Sequence, residues 1–165
     1  MFQQEGTVIR TWATKGKGTE VKSKPCRRSC KVLGALRLDA VNPTLHFRFE
    51  KDKFNADTFG HFVEHIVGYY VHRGERTHLI LDGASYHKKT QDWALAHPDA
   101  IEFHFLPPYS PDLNLIEQLW RKTKASATHN RYFPTLESLH GAIFRRFNRY
   151  QGNPASLRSL VDGWI

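Results

Sequence analysis

Short strand-like runs alternate with longer helix-like segments along most of this 165-residue chain. We predict strands where apolar residues form brief runs or fill every second position, and helices where they recur every three or four residues. The order is strand, strand, helix, strand, short helix, strand, helix, helix, over 31–38, 45–50, 55–72, 77–81, 91–97, 101–105, 111–128 and 135–150. This order favours one α/β domain over 1–165, in which helices flank a mixed sheet that opens with an antiparallel hairpin.

An aspartate that directly follows a predicted strand is the first candidate for chemistry. Residues 79–81 are apolar and Asp82 comes next, so its carboxylate is expected at the edge of the sheet. Ligand sites of α/β proteins tend to lie at such strand ends. An aspartate in this position also commonly starts a turn or caps a helix, and taken alone Asp82 fits that structural role better.

A second carboxylate lies in the helix predicted over 111–128. Asn114, Glu117 and Arg121 fall on one polar face of this helix, and 34 residues separate Asp82 from Glu117. Carboxylates on separate elements can converge on a divalent ion for phosphodiester chemistry. The alternative is a solvated helix face on which Glu117 and Arg121 form an ion pair.

Three neighbouring residues carry structural predictions. We predict that Ser110 caps this helix, and that Tyr109 and Trp120 pack against other side chains rather than stack on bases.

The chain is basic, with 24 Lys and Arg against 16 Asp and Glu and a formal charge of +8. A positive field of this size favours polyanions through steering and counterion release. A merely soluble basic protein would have the same composition, but the positive residues are concentrated in a few stretches. The side chains that we expect to contact DNA are Lys15, Lys17, Arg27, Arg28, Arg121 and Lys124.

The sequence shows no segment suited to a membrane. No apolar run approaches the roughly 20 residues needed to cross a bilayer. The first residues also lack a basic region followed by an apolar run, so no signal peptide is visible. We therefore expect a cytoplasmic protein without membrane contact.

Two motifs resemble those of DDE-type transposases of the mariner superfamily. Residues 79–87, LILDGASYH, resemble the segment that carries the second aspartate of these enzymes. Residues 106–120, LPPYSPDLNLIEQLW, resemble the signature of their bacterial insertion-sequence branch, which typically places 34 residues between that aspartate and the final glutamate. The sequence departs from the pattern at Gly83, where asparagine is common.

The resemblance implies a ribonuclease-H-like fold in which three carboxylates hold two Mg²⁺ or Mn²⁺ ions. Carried over residue by residue, Asp82 matches the second acid and Glu117 the third. Asn114 and His87 would then stand beside the metal ligands, although a purely structural role for His87 fits equally well. The implied function is metal-dependent cleavage and strand transfer at insertion-sequence ends. Its partners would be double-stranded DNA and either a second copy or a full-length transposase.

The first aspartate of the family, which lies on the first strand, has no ordinary counterpart here. Either Gln4 takes its place beside Glu5, or the aspartate and most of its strand precede Met1, which we favour. Asp39 is better explained as a turn residue. We therefore expect the first strand to be incomplete or missing, and the N-terminal helix-turn-helix region of such transposases to be absent. The alternative function is an inactive chain that only binds DNA or full-length transposase.

Overall fold

The computed structural model describes residues 1–5, 7–16, 20–22, 27–39, 41–51 and 53–162. Within these ranges the chain forms five strands, six α-helices and one 3₁₀ turn. The strands are β1 (Phe2–Gln3), β2 (Ser29–Arg37), β3 (Thr44–Glu50), β4 (Thr77–Leu81) and β5 (Ile101–Phe105). The helices are α1 (Ala56–Val71), α2 (Ser85–Lys89), α3 (Gln91–Leu95), α4 (Leu115–Ala127), α5 (Leu136–Gly152) and α6 (Ala155–Val161).

The predicted elements are all present, with one correction inside them. The helix predicted over 111–128 is divided into a 3₁₀ turn, Pro111–Leu113, and α4. Asn114 separates the two because its backbone is extended, and its side-chain oxygen accepts a hydrogen bond from the Ile116 amide. Asn114 therefore caps α4, and the cap predicted at Ser110 is wrong. The Ser110 hydroxyl instead donates to the Pro108 carbonyl.

The strands form two separate sheets. Strands β1, β2 and β3 are antiparallel in that order, with Gly34 opposite Phe47 in the predicted hairpin. Strands β4 and β5 are parallel, with Leu79 opposite Phe103. The strand β1 covers only the start of β2, where Phe2 lies opposite Cys30. The predicted α/β class is confirmed, and the first strand is as short as expected.

Two hydrophobic cores lie on opposite faces of β2. Val32 belongs to the core formed with α4 and α5, in which Leu119 and Phe147 are completely buried. Leu33, the next residue, belongs to the core formed with α1, β4 and β5. Because successive side chains of a strand point to opposite faces, this pair shows that helices cover β2 on both sides.

Helix α4 packs so closely on β2 that only glycine fits between them. A Cβ atom on Gly34 would lie 2.5 Å from one ring carbon of Trp120 and 2.6 Å from another. Trp120 is itself buried and meets Phe2 edge to face, with 5.7 Å between the ring centroids. The prediction that Trp120 packs in the core is confirmed, and this contact fixes the position of α4 on the sheet.

Candidate active site between the two sheets

A cavity of about 720 Å³ lies between β2 and β4, which face each other across the gap between the two sheets. Both candidate carboxylates, Asp82 and Glu117, contribute to its wall. An ion pair between Arg37 and Glu75, with 3.3 Å between Nη2 and Oε2, joins the end of β2 to the segment before β4. The cavity thus runs along β4 from Glu75 to Asp82.

Asp82 is held by local contacts at the carboxyl end of β4. Its Oδ1 accepts a hydrogen bond of 3.1 Å from the Ala84 amide and lies 2.8 Å from Nδ1 of His87. The same Nδ1 is 3.2 Å from the Asp82 carbonyl oxygen, and because both neighbours are acceptors this nitrogen carries the hydrogen. The Asp82 side chain nonetheless remains 51% exposed.

His87 connects Asp82 to the core beneath it. The residue is 8% exposed, and its ring lies 4.3 Å from the ring of Phe59 on α1. This packing leaves the imidazole few alternative positions, so its hydrogen bond orients the carboxylate. The arrangement is compatible with both roles predicted for His87, one beside the metal ligands and one purely structural. A buried histidine at this place packs in the core and also positions Asp82.

Glu117 lies in the first turn of α4, where the dipole of the helix favours a negative charge. Asn114, which caps the same helix, also lines the cavity. Glu117 is exposed, while Leu119 and Trp120 on the same helix are buried. The helix therefore presents a carboxylate to the cavity from a rigid, well-packed base.

The charges of both carboxylates act on one phenol. Burial raises the pKa of Tyr86, and the negative charges of Asp82 and Glu117 raise it further. Tyr86 also lines the cavity. Sequence reasoning did not single out this residue, because its relation to Glu117 depends on packing between distant segments.

The amino terminus contributes a positive group to the same cavity. Burial lowers the pKa of the Met1 amino group, and the charge of Lys124 lowers it further, whereas Glu117 raises it. Nζ of Lys124 lies 5.9 Å from the centroid of the Phe2 ring. Lys124 is therefore close to the Glu117 side of the cavity without forming part of its wall.

The other predicted DNA contacts are spread over the surface. Lys15, Arg27 and Arg28 are exposed and do not line the described cavity, whereas Lys17 falls outside the described residues. Nη2 of Arg121 lies 3.6 Å from Oδ1 of Asp112. Within the described ranges Arg121 has no ion pair with Glu117, so the helix-face pair considered as an alternative does not form.

Gln4 and Asp39, the candidates for the missing first acid, do not line the described cavity. Gln4 is buried and its side-chain amide donates to the Phe133 carbonyl. Asp39 accepts backbone hydrogen bonds from Val41 and Asn42, which lower the pKa of its carboxyl group. These contacts match the turn role predicted for Asp39.

Tyr109, in contrast, does not pack as predicted. Its side chain is fully exposed and its backbone is left-handed, with φ of 58°. The preceding prolines and this turn project the ring outward, so the prediction that it packs against other side chains is wrong.

Two carboxylates at one cavity fit a divalent metal ion. Mg²⁺ and Mn²⁺ prefer carboxylate oxygens, and Mg²⁺ usually retains several waters while bound by one or two carboxylates. The described contacts of the Asp82 side chain all involve Oδ1. Asp82 and Glu117 are therefore the residues that could hold such ions at this cavity.

No helix in the described ranges is both long enough and apolar enough to pass through a bilayer.

Comparisons with known proteins identify a family and a fold for this chain. The profile of the family described as "DDE superfamily endonuclease" matches residues 1–140. The uncharacterized protein y4pE/y4sA of Sinorhizobium fredii is 31% identical over 99 residues, which cover 59% of this chain and 71% of that protein.

Solved structures of Mos1 show a similar fold. The Mos1 transposase paired-end complex with the left transposon end gives a TM-score of 0.59 at 16% identity, covering 96% of this chain and 51% of that one. The Mos1 strand transfer complex gives a TM-score of 0.57 at 15% identity, covering 99% and 52%. This chain thus spans about half the length of the Mos1 chains. The predicted ribonuclease-H-like fold is confirmed.

Proposed function

The chain belongs to the DDE superfamily endonuclease family, and on that premise we propose that it is the catalytic domain of a transposase. Its reaction would be metal-dependent cleavage of DNA and transfer of the cut strand at insertion-sequence ends. The observation that carries the proposal is the position of Asp82 and Glu117 on the wall of one cavity, although they lie on different elements and 34 residues separate them.

The residues of the cavity suggest a division of roles. Asp82 and Glu117 would hold Mg²⁺ or Mn²⁺, which when bound supplies activation of the attacking oxygen and stabilisation of the leaving oxygen. His87 would act as a positioning residue, because its Nδ1 orients the Asp82 carboxylate. Asn114 would fix the start of α4 and thereby the position of Glu117.

Cations outside the cavity would hold the DNA backbone. Lys124 and Arg121 lie on α4, the helix that carries Glu117, and Arg27 and Arg28 precede β2. These side chains, together with Lys15 and Lys17, would contact phosphates and position the duplex without reading its sequence. The structural neighbours include a complex with a transposon end, which favours double-stranded DNA as the substrate.

The main test replaces each carboxylate with its uncharged amide. We expect Asp82→Asn and Glu117→Gln to abolish nicking of supercoiled DNA in Mg²⁺ or Mn²⁺, because each change removes a metal ligand. Asp112→Asn is the matched control, since Asp112 pairs with Arg121 and does not line the cavity. Nicking that survives both changes in the cavity would exclude these residues from the mechanism.

DNA binding is tested separately by its dependence on salt. The affinity should fall steeply between low and physiological salt, because bound Lys and Arg displace counterions from the phosphates. Arg27→Gln combined with Arg28→Gln should reduce that slope, since each lost phosphate contact lowers it by roughly one. An affinity that is independent of salt would contradict the assignment of these cations.

A second candidate function is an inactive chain that binds DNA or full-length transposase. The lack of a third unpaired acid in the described cavity wall favours this candidate. Besides Asp82 and Glu117, that wall contains one further carboxylate, Glu75, which is paired with Arg37. Within the described residues β5 is the only strand neighbour of β4, and β1 accompanies only the first residues of β2. The gap between β2 and β4 therefore has room for a strand that would supply a third acid.

The register of β1 shows how to distinguish the two candidates. Suppose that β1 were extended before Met1 with the register that pairs Phe2 with Cys30. The third added residue before Met1 would then lie opposite Gly34 of β2. Paired residues share a face of the sheet, and the face of Gly34 points towards Ile116 and Trp120 of α4. We would compare the 165-residue chain with two versions extended by an apolar strand, carrying Asp or Asn at that position. Nicking by the 165-residue chain would support the proposal that this chain is itself an enzyme. If only the version extended with Asp nicks DNA, the 165-residue chain is inactive because it has no third acid.

A further inference from the structure

Two histidines and a glutamate form a compact cluster on the second sheet, and one of them, His78, also lines the cavity that Asp82 and Glu117 line. Nδ1 of His78 lies 3.0 Å from Nε2 of His104 and 3.7 Å from Oε2 of Glu102. Nε2 of His104 lies 3.9 Å from Oε1 of Glu102. All three ligand atoms are within 4.8 Å of one another.

The strand pairing brings these residues together. His78 lies opposite Glu102, and His104 lies opposite Ile80, two positions further along the same parallel pair. The residues alternate with Leu79 and Phe103, which pack against the core formed with α1. The cluster therefore occupies the other face of β4–β5, where each of the three side chains is about half exposed and open to a ligand from solvent.

We propose that His78, Glu102 and His104 bind a zinc ion with one coordination position open to water. Tetrahedral zinc has nitrogen and oxygen ligands at about 2.0–2.2 Å, so its ligand atoms lie roughly 3.3–3.6 Å from one another. The two imidazole nitrogens are 3.0 Å apart, and each lies 3.7 or 3.9 Å from a different oxygen of Glu102. With one atom from each residue the separations stay within 4.8 Å, so rotation of the side chains is needed to bring them into that range. Two histidines and a carboxylate with an open fourth position are a known zinc ligand set.

The donor types distinguish this cluster from the carboxylate pair, although His78 and the two carboxylates line one cavity. Imidazole nitrogen favours zinc and other late transition metals, whereas carboxylate and water suit magnesium and manganese. The two sites should therefore differ in metal preference. His78 lies four residues before Asp82 on an extended strand, so the cluster is roughly 13 Å along the chain from that carboxylate.

Two contacts compete with the metal ion. Nη2 of Arg76 lies 3.0 Å from Oε2 of Glu102, and the close approach of the two imidazoles requires a shared hydrogen. Zinc needs both nitrogens without their hydrogens and a carboxylate free to turn towards it. Zinc binding should consequently release a proton whenever one of the histidines is protonated. Removal of the Arg76 side chain should strengthen zinc binding, because Glu102 would then be free to turn towards the ion.

The bound ion would join β4 and β5 on the face where these three side chains are about half exposed. A ligand that binds only the folded state stabilises it in proportion to the logarithm of ligand concentration over Kd. The stability of the folded chain should therefore rise with zinc concentration, and this effect should depend on the three ligands.

The experiment is a titration of the full chain with zinc in competition with a chromophoric chelator. In a separate titration, cobalt(II) replaces zinc, and its visible absorption reports the ligand geometry. We expect one ion per chain, and affinity reduced roughly tenfold or more in His78→Gln and in His104→Gln, because loss of a ligand costs at least as much as loss of a supporting contact. Arg76→Gln should bind more tightly than the unmodified chain. His61→Gln, which alters an exposed histidine on α1, is the control and should leave the affinity unchanged.

Circular dichroism of each variant would verify that these exposed substitutions leave the fold intact. The proposal is overturned if the unmodified chain binds no zinc under these conditions. It is equally overturned if His78→Gln and His104→Gln bind as tightly as the unmodified chain, because the ion would then lie elsewhere. Neither result depends on whether the chain cleaves DNA.

Discussion

The two sheets differ in how completely they are covered. The sheet of β1, β2 and β3 has α4 and α5 on one face, and β2 also packs against α1 on the other. The sheet of β4 and β5 packs against α1 on one face, while Ile80 on the other is 51% exposed. Each side of the cavity contributes one candidate metal ligand, Asp82 after β4 and Glu117 on the helix packed against β2.

Glu117 is positioned by packing and Asp82 by hydrogen bonds. The helix that carries Glu117 is fixed by buried contacts several residues away, above all Trp120 on Gly34. Asp82 follows a five-residue strand and depends on its neighbours Ala84 and His87. Core substitutions should therefore disturb Glu117, whereas the orientation of Asp82 should respond to changes next to it.

The largest contrast is expected between Phe147, an α5 residue in the core that covers the first sheet, and Ile80, on the exposed face of the second sheet. Phe147 is completely buried, so Phe147→Ala should lower the free energy of unfolding by about 3–5 kcal/mol. Ile80→Ala should cost less than roughly 1 kcal/mol, because its side chain is half exposed. Denaturant unfolding of both variants measures the difference. Equal losses would show that the second sheet is as well packed as the first.

A smaller effect is expected where α4 meets β2. Gly34→Ala places a methyl group against the Trp120 ring and should cost about 1–3 kcal/mol through overpacking. Gly68→Ala is the matched control, because a Cβ at this position of α1 meets nothing within 4 Å. Replacing a mid-helix glycine with alanine should stabilise the protein by roughly 0.5–1 kcal/mol. Thermal unfolding should thus shift in opposite directions, and shifts of the same sign would contradict the close packing.

A still smaller loss of stability is expected for His87→Phe. The ring would retain its packing on Phe59, but Asp82 would lose the hydrogen bond from Nδ1, at a cost of about 1 kcal/mol. If the proposed function is correct, nicking should fall while DNA binding is unchanged. Nicking at the original rate would show that His87 has no positioning role.

The smallest effect is expected at Asp39, in the turn after β2. Backbone hydrogen bonds from Asn42 and Val41 lower the pKa of this carboxyl group in the folded state. Its contribution to stability is therefore complete above about pH 4, the ordinary pKa of aspartate, and is lost as pH falls through the lower folded value. Unfolding curves of the unmodified chain and Asp39→Asn should differ above that range and converge below it. A difference that persists in strong acid would contradict the ionised turn.

Local patterns in the sequence predicted most of the elements but missed the shortest ones. Helix α1 was predictable because Phe59, Phe62 and Ile66 repeat at helical spacing after the cap at Asn55. Helix α6 was not predicted, since seven residues, Ala155–Val161, provide too few apolar positions for a clear period. Trp120 and Tyr109 are both aromatic residues of one motif, yet only the first is buried, because backbone conformation decides which ring turns inward.

The candidate site was predictable only in part. The strand end at Asp82 and the helix face at Glu117 follow from local patterns, and the resemblance to transposases linked them; their catalytic roles remain predictions. The cavity could not be predicted, because its size depends on the gap between β2 and β4. The cluster of His78, Glu102 and His104 was also missed, since alternation shows which residues share a face but not which strands pair in which register.

The partly enclosed amino group of Met1 has a practical consequence for preparing the protein. Because Met1 lines the cavity and feels the charge of Glu117, an affinity tag fused at this end would begin inside the candidate site. A tag with no strand-forming sequence would obstruct the cavity and lower nicking whatever the catalytic residues do. Tags belong at the opposite terminus, beyond α6, which ends at Val161 and contributes nothing to the described cavity wall.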